Sequence, residues 1–135
     1  MSTARISNSP VDIAVSGLRA QSRRMNVIAG NIANANTSRA EDGGPYRRQE
    51  VVLRTDPGEK GVTVGDVLPD LQSEFKRVYL PGHPDADEKG WVRMPNVELP
   101  REMVDLVLAS RAYQANAAVL KRYQDIMEAT IELLK

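Results

Sequence analysis

A chain of 135 residues has room for one ordinary domain, or for one small domain with long helical arms, and not for two domains with independent large cores. Eighteen basic and eighteen acidic side chains leave it formally neutral, which removes any global pull towards nucleic acid or an acidic membrane surface, and the lack of cysteine excludes disulfides, thiolate metal sites and thiol nucleophiles together. With 41% hydrophobic but only 4% aromatic residues, the apolar content rests on Ala, Val, Leu, Ile and Met, which suits helix packing better than a β-sandwich core.

The N-terminal "MSTARISNSP" has no apolar core and no cleavage site of small residues, so a cleaved export signal is not expected; an uncleaved, specialised export route stays open. No later stretch approaches the roughly eighteen apolar residues of a bilayer span. The first element begins at "NSPVDI". Ser9 is the expected cap, Pro10 fits the first helical position because its missing N–H would be unsatisfied there anyway, and Asp12 faces the positive end of the helix dipole. From there Val11, Val15, Leu18, Ser22, Met25, Ala29 and Ile32 recur at alternating intervals of four and three, a heptad seam, and Ile28 is grouped with them as a packing residue. Ile13, Ala20 and Val27 repeat every seven residues on the opposite side, so this helix is expected to have neighbours all round.

The helix runs out in "GNIANANTSRAEDGGPYRRQ" (Gly30–Gln49), a long exit for a helix that one glycine would stop. Beyond it the period changes. Tyr46–Thr55, Gly61–Leu68, Glu74–Leu80 and Gly90–Met94 are short β-prone runs, separated by turn signals at Asp56-Pro57-Gly58, Leu68-Pro69-Asp70, Pro81-Gly82 and Glu88-Lys89-Gly90. Three or four short strands in a hairpin or small sheet are expected, dependent on the helices for stability.

The last segment mirrors the first. "LPREMVDLV" opens a helix with Pro100 in its first turn and Glu102 and Asp105 near the positive end of its dipole. Its seam reads Met103, Leu106, Ser110, Tyr113, Ala117, Leu120, Gln124, Met127, Ile131 and Leu134, and its back, at Leu108, Ala115, Arg122 and Ala129, is mostly apolar or small. The sequence therefore predicts a mainly α protein with a small β segment. Its long N- and C-terminal helices pack as an antiparallel coiled coil, with a short β-hairpin or small sheet domain between them. The parts are 1–40, 41–97 and 98–135, with formal charges of +4, −3 and −1.

Sites of chemistry are sparse. "GHPDADEKG" holds the sole histidine, His83, and Asp85-x-Asp87-x-Lys89-Gly90 imitates the opening of a calcium loop, but a cation, Lys89, stands at the fifth position and Asn96 where the twelfth should be a bidentate Glu. A solvated turn is the expected reading, with no metal and no cofactor. Arg19, Arg23 and Arg24 lack interleaved aromatics and point to a solvated or inter-subunit face, not to nucleic acid. No Ser/His pairing and no phosphate loop offers a route to catalysis. What remains is structural: apolar seams on two sides of both terminal helices expose more surface than a monomer tolerates, which argues for ordered self-assembly. A simple hairpin core with the β segment folded over its second face, a helical-hairpin adaptor, is the alternative, and a small metal-binding or enzymatic domain built on His83–Asp87 is the further one.

Ser16–Gln49 resembles the N-terminal signature of the bacterial flagellar rod and hook proteins, and "ASRAYQANAAVLKRYQDIMEATIELLK" (Ala109–Lys135) resembles their C-terminal signature. Short length, together with "GGPYRRQEVV" and "YLPGHPDADEKGWVRMPNVELPREM", is most similar to the proximal-rod members. The resemblance implies a structural, non-enzymatic subunit of the flagellar basal-body proximal rod. Its terminal helices would pack into a helical drive shaft that transmits torque and encloses the export channel, with a small β domain facing outward. It implies delivery by the flagellar type III export apparatus, and a place in the rod outside the cytoplasmic membrane, periplasmic in a two-membrane cell. The implied partners are copies of itself, other rod subunits and the membrane-ring and export-gate base of the rod, with no nucleic acid and no membrane span. Asn31, Ile32, Ala33, Asn34, Ala35, Asn36 and Thr37 match the first signature, and Ser110, Arg111, Tyr113, Gln114 and Asn116 the second. On this reading Asn34 and Asn36 both cap the helix and bond neighbouring chains.

Overall fold

The computed structural model describes residues 9–55 and 61–135, so the expected turn at Asp56-Pro57-Gly58 lies outside the described residues. Helix α1 spans Pro10–Ala33, with Ser9 in extended conformation accepting the Val11 N–H at 3.2 Å, as its cap position demands. At the other end Asn34 closes the helix twice. Its backbone N–H and its Nδ2 both donate to the Gly30 carbonyl, at 3.1 and 2.9 Å, and the Thr37 hydroxyl in turn donates to Asn34 Oδ1 at 3.2 Å. The exit then folds into a tight loop in which Tyr46 N–H returns to the Thr37 carbonyl at 2.9 Å, with Gly43 at φ 83° in the bend.

Strands β1 (Gln49–Thr55) and β2 (Val62–Pro69) form one antiparallel hairpin; β3 (Lys76–Tyr79) and β4 (Trp91–Met94) form another. The β segment is thus two separate two-stranded sheets. A bulge between Val51 and Leu53 brings the Val52 carbonyl against Gly65, where an added Cβ would lie only 2.7 Å from that oxygen. Two-stranded ribbons need support. The first receives it from α1, where Ser16 Oγ accepts the Val62 N–H at 3.1 Å. The second is anchored to chain segments on both sides of it: Lys76 Nζ donates to the Val97 carbonyl at 2.8 Å, and Asp85 in its connecting loop accepts from the Ser38 hydroxyl at 2.7 Å and pairs with Arg39.

Helix α2 (Leu99–Leu133) runs back antiparallel along α1, as the contacts Gly17 to Asn116, Arg24 to Asp105 and Asn31 to Glu102 establish. From Gln124 onward every residue of the chain is exposed. Prolines apart, the buried apolar residues among those described are Ala14, Ala20, Ile28, Val92, Val97 and Ala109; those on the two helices are Ile28 and three alanines, so the helices meet largely through small side chains. The packed side of α2 carries Glu102, Ala109 and Asn116, one position away from Met103, Ser110 and Ala117 of the seam read from the sequence, and Met103 and Tyr113 of that seam are exposed.

Close approach decides this choice of face. A Cβ on Gly17 would stand 2.8 Å from the Asn116 amide, itself held by a 2.9 Å bond from Nδ2 to the Ala112 carbonyl. In an unhindered helix Gly→Ala stabilises by about 1 kcal/mol. Here Gly17→Ala is expected to reverse that sign and cost a net ~1 kcal/mol in urea unfolding, because overpacking outweighs propensity. A gain in stability would show that the helices do not touch at this point.

Candidate functional site

The densest constellation of polar side chains sits where α1 ends, β1 begins and α2 starts. Asn31, on the last turn of α1, is 1% exposed and saturates all four of its hydrogen-bonding positions. Its Nδ2 donates to the Gln49 carbonyl at 2.9 Å and to Glu102 Oε2 at 3.1 Å; its Oδ1 accepts the Gln49 N–H and the Tyr46 hydroxyl, both at 2.9 Å. One amide therefore ties two helices to a strand.

Glu102 is wholly buried, and its second oxygen accepts from Arg48 Nε. The same guanidinium bonds Glu50 and lies 3.9 Å from Asp70 and 3.8 Å from Asp105. Glu102 in the first turn of α2, with Asp105 in the next, thus neutralises a buried arginine in addition to facing the dipole. Around this pair the backbone is closed by Asn96, whose Oδ1 accepts the Arg48 N–H at 2.8 Å while its Nδ2 donates to the carbonyls of Asp70 and Ser73 at 3.2 and 3.3 Å. Residues from five places in the chain interlock, and each buried polar group has its partner.

Electrostatics follow from this geometry. Burial alone would weaken the Arg48 charge, but hydrogen bonds and attraction from Glu102 and Glu50 raise its pKa above the usual arginine value. Burial, with the Glu102 charge nearby, also raises the Tyr46 hydroxyl, keeping it a neutral donor. Asp70 is pulled below the ordinary carboxylate range, chiefly by the Ser73 N–H and hydroxyl, with the Gln72 N–H and Arg48 adding to it. The node is a charged, desolvated joint whose groups face each other.

The His83–Asp87 turn is built differently. His83 Nδ1 accepts the Asp85 N–H at 3.0 Å, and Asp87 Oδ1 accepts the N–H groups of Lys89 and Trp91, both at 2.9 Å. The hydrogen bond from the Ser38 hydroxyl holds Asp85 low in pKa, with Arg39 and His83 adding to it; the Trp91 and Lys89 amides do the same for Asp87, aided by Arg77. Among the described residues no group of three His, Cys, Asp or Glu side chains stands close enough to hold a metal ion.

The residues expected to carry packing are divided by the structure. Val11, Val15, Leu18, Met25 and Ile32 are half-buried and Ile28 is buried; on α2, Leu106, Asn116 and Leu120 are half-buried. Met103, Arg111, Tyr113, Gln114, Met127, Ile131 and Leu134 face solvent. Asn34 and Thr37 bond each other at the helix end, whereas Asn36 is exposed. Sequence reasoning missed the node itself. Its only trace is the doubled arginine Arg47-Arg48 entering a β-prone run, with its buried partner Glu102 waiting more than fifty residues away.

Comparison with known proteins places these elements. A family model described as flagella basal body rod protein matches residues 12–40, the body of α1 and its exit, and one described as flagellar basal body rod FlgEFG protein C-terminal matches 88–133, which holds β4 and α2. The chain is 48% identical over 126 residues to the flagellar basal-body rod protein FlgC of Escherichia coli O6:H1, covering 90% of this chain and 93% of that one. Identity and coverage are the same for FlgC of Salmonella typhimurium. With FlgC of Borreliella burgdorferi it shares 39% over 147 residues, 94% of this chain and 97% of the relative.

Proposed function

Because the chain belongs to the FlgC family of flagellar basal-body rod proteins, and so is a structural subunit of the rod that assembles with other basal-body components, we propose that its terminal helices supply the packing surfaces of that assembly. The observation that carries this reading is the outer side of α2. Val104 is 59% exposed and Ile131 53%, and between and around them Val107, Leu108, Ile126 and Met127 are also open to solvent. Large apolar side chains left open on more than one face of a 35-residue helix are more than a soluble monomer usually leaves uncovered.

In the rod these residues, with Met103, Tyr113 and Leu134, meet helices of neighbouring copies and of other rod subunits, and the α1–α2 pair continues as coiled-coil packing across subunits. The resulting shaft transmits torque and encloses the export channel, and its base contacts the membrane ring and export gate. Asn36 bonds a neighbouring chain. The role is structural and not enzymatic, as in the rod proteins the chain resembles, and the polar groups of the buried node are matched to one another, which suits a joint. It reaches the outside of the cytoplasmic membrane, periplasmic in a two-membrane cell, through the type III export apparatus. No helix among the described residues is long and apolar enough to cross a membrane.

Amide hydrogen exchange compared between purified monomer and isolated basal bodies tests this. Strong protection of residues 104–133 is expected only in the particle. Equal protection in both states would mean that the helices need no neighbours, and the packing role would fall.

A further inference from the structure

One face of the second hairpin differs from an ordinary solvated β surface. Side chains alternate along a strand, so Arg77 and Tyr79 of β3 share a face with Trp91 and Arg93 of β4, while Val92 on the other face is fully buried. Register sets Tyr79 opposite Trp91 and Arg77 opposite Arg93. Two like charges directly across a strand pair repel, so the hairpin maintains this pair at a cost to its own stability.

Neighbouring residues extend the pattern. The Arg47 and Arg93 guanidiniums both stack on Phe75, at 4.2 and 4.9 Å from its centroid, and Arg77 lies 5.8 Å from that of Trp91. The three arginines and Phe75 line one shallow notch beside Leu71, which is 74% exposed. Among the described residues, the one carboxylate within ion-pair reach of these arginines is Asp87, 3.4 Å from Arg77; Glu74 lines the notch without pairing. Arg47 spends one N–H on the Asp70 carbonyl at 2.9 Å, but a guanidinium that stacks through its flat face keeps further N–H edges for a planar, two-oxygen acceptor, which leaves Arg77 and Arg93 to supply most of them. Arginine, tyrosine and tryptophan together are the residues that dominate protein–protein hot spots.

We infer that this face binds an acidic segment of another polypeptide, one in which carboxylates alternate with apolar side chains. A carboxylate suits the paired N–H edges, and the aromatic and leucine rim rewards apolar contact, which a bare phosphate would not use. The partner is a different protein, not a copy of this one. Asp70 and Asp85 near the notch are already bonded to Ser73 and Ser38, and on the exposed end of α2 the acids Asp125, Glu128 and Glu132 share their helical stripe with Lys121 and Lys135. The inference stands apart from how the helices pack in the rod.

Trp91, the sole tryptophan, reports on the face directly. The full-length chain is titrated with a short synthetic peptide alternating Glu with Leu, its Gln–Leu counterpart and inorganic pyrophosphate, and Trp91 fluorescence is followed. A saturable change with the Glu–Leu peptide is expected, weakened roughly tenfold or more in R77A/R93A. That variant relieves a like-charge pair but also gives up the Arg77–Asp87 pair and the stacking on Trp91 and Phe75, all at the surface, so its circular dichroism should be unchanged and its urea midpoint close to the parent's; R77E/R93E should instead prefer a Lys–Leu peptide. No response, equal binding of the Gln–Leu peptide or pyrophosphate, or unaltered affinity in R77A/R93A would each overturn the inference. So would self-association of the wild-type chain that R77A/R93A abolishes, which would put a second copy in the notch.

Discussion

Arg48→Met is expected to cost about 3–5 kcal/mol of folding stability, because it strands Glu102 in an environment without water. Methionine fills much the same volume, so the loss is electrostatic and not a cavity effect. A domain of ordinary stability has only about 5–15 kcal/mol in total, which makes the variant marginal or unfolded. Glu102 would be left with Asn31 Nδ2 alone as a donor and would either remain a desolvated anion or take up a proton, and both routes are unfavourable. Arg48→Met combined with Glu102→Gln removes both charges and keeps an oxygen for Asn31 to donate to, so it should recover at least about half of the loss. Urea unfolding of the full chain reads both values. A loss below about 1 kcal/mol in the single variant would mean that water reaches the node and that the pair is worth no more than a surface ion pair.

Leu108→Glu and Ile131→Glu, made separately, are expected to abolish rod assembly while leaving the isolated subunit within about 0.5 kcal/mol of the parent. Both side chains lie about half exposed on α2, 52% and 53%, so a carboxylate there is solvated in the monomer. In an assembled rod the same carboxylate would be buried against an apolar helix without a cation, at a cost of several kcal/mol per copy. Each copy repeats the defect, so a helical assembly should fail outright. Swimming in soft agar and rods in isolated basal bodies would report the failure, and urea unfolding the intact monomer. Normal motility in either variant would show that the face carrying that residue is open to solvent in the rod as well. A large loss of monomer stability would show instead that it packs within the subunit.

Contrasting the two predictions separates two kinds of stabilisation in this chain. The node is internal and polar, holding the helix pair to the β segment at one end. The apolar residues of α2 are external, and on the proposed reading their free energy would be realised only on contact with neighbours. An exposed apolar helix beside a buried ion pair reverses the usual distribution. It is consistent with a subunit whose interior must be rigid and whose outside must be covered.

Much of this was legible from residue order. Ser9, Pro10 and the heptad spacing set the start and course of α1, the β-prone runs marked where the four strands lie, and Pro100 with the following pattern marked α2, because caps and periodicity are local effects spread over a few residues; Leu68 and Pro69, read as a turn, instead end β2. The division of the strands into two hairpins was not legible, since short β-prone runs do not announce their partners. Nor was the face of α2 that meets α1. A helix apolar on several sides offers more than one stripe, and the one that won carries Ala109 and Asn116, where Gly17 lets the backbones come close enough for small side chains to interlock. The node was hidden for a simpler reason. Asn31 and Glu102 are 71 residues apart and Arg48 and Glu102 are 54 apart, so nothing in the neighbourhood of any one of them states that it will be buried. The sequence by itself determined the elements and the family; only tertiary structure decided which polar groups leave water, because that depends on partners brought together by folding, whose mutual hydrogen bonds offset the cost of desolvation.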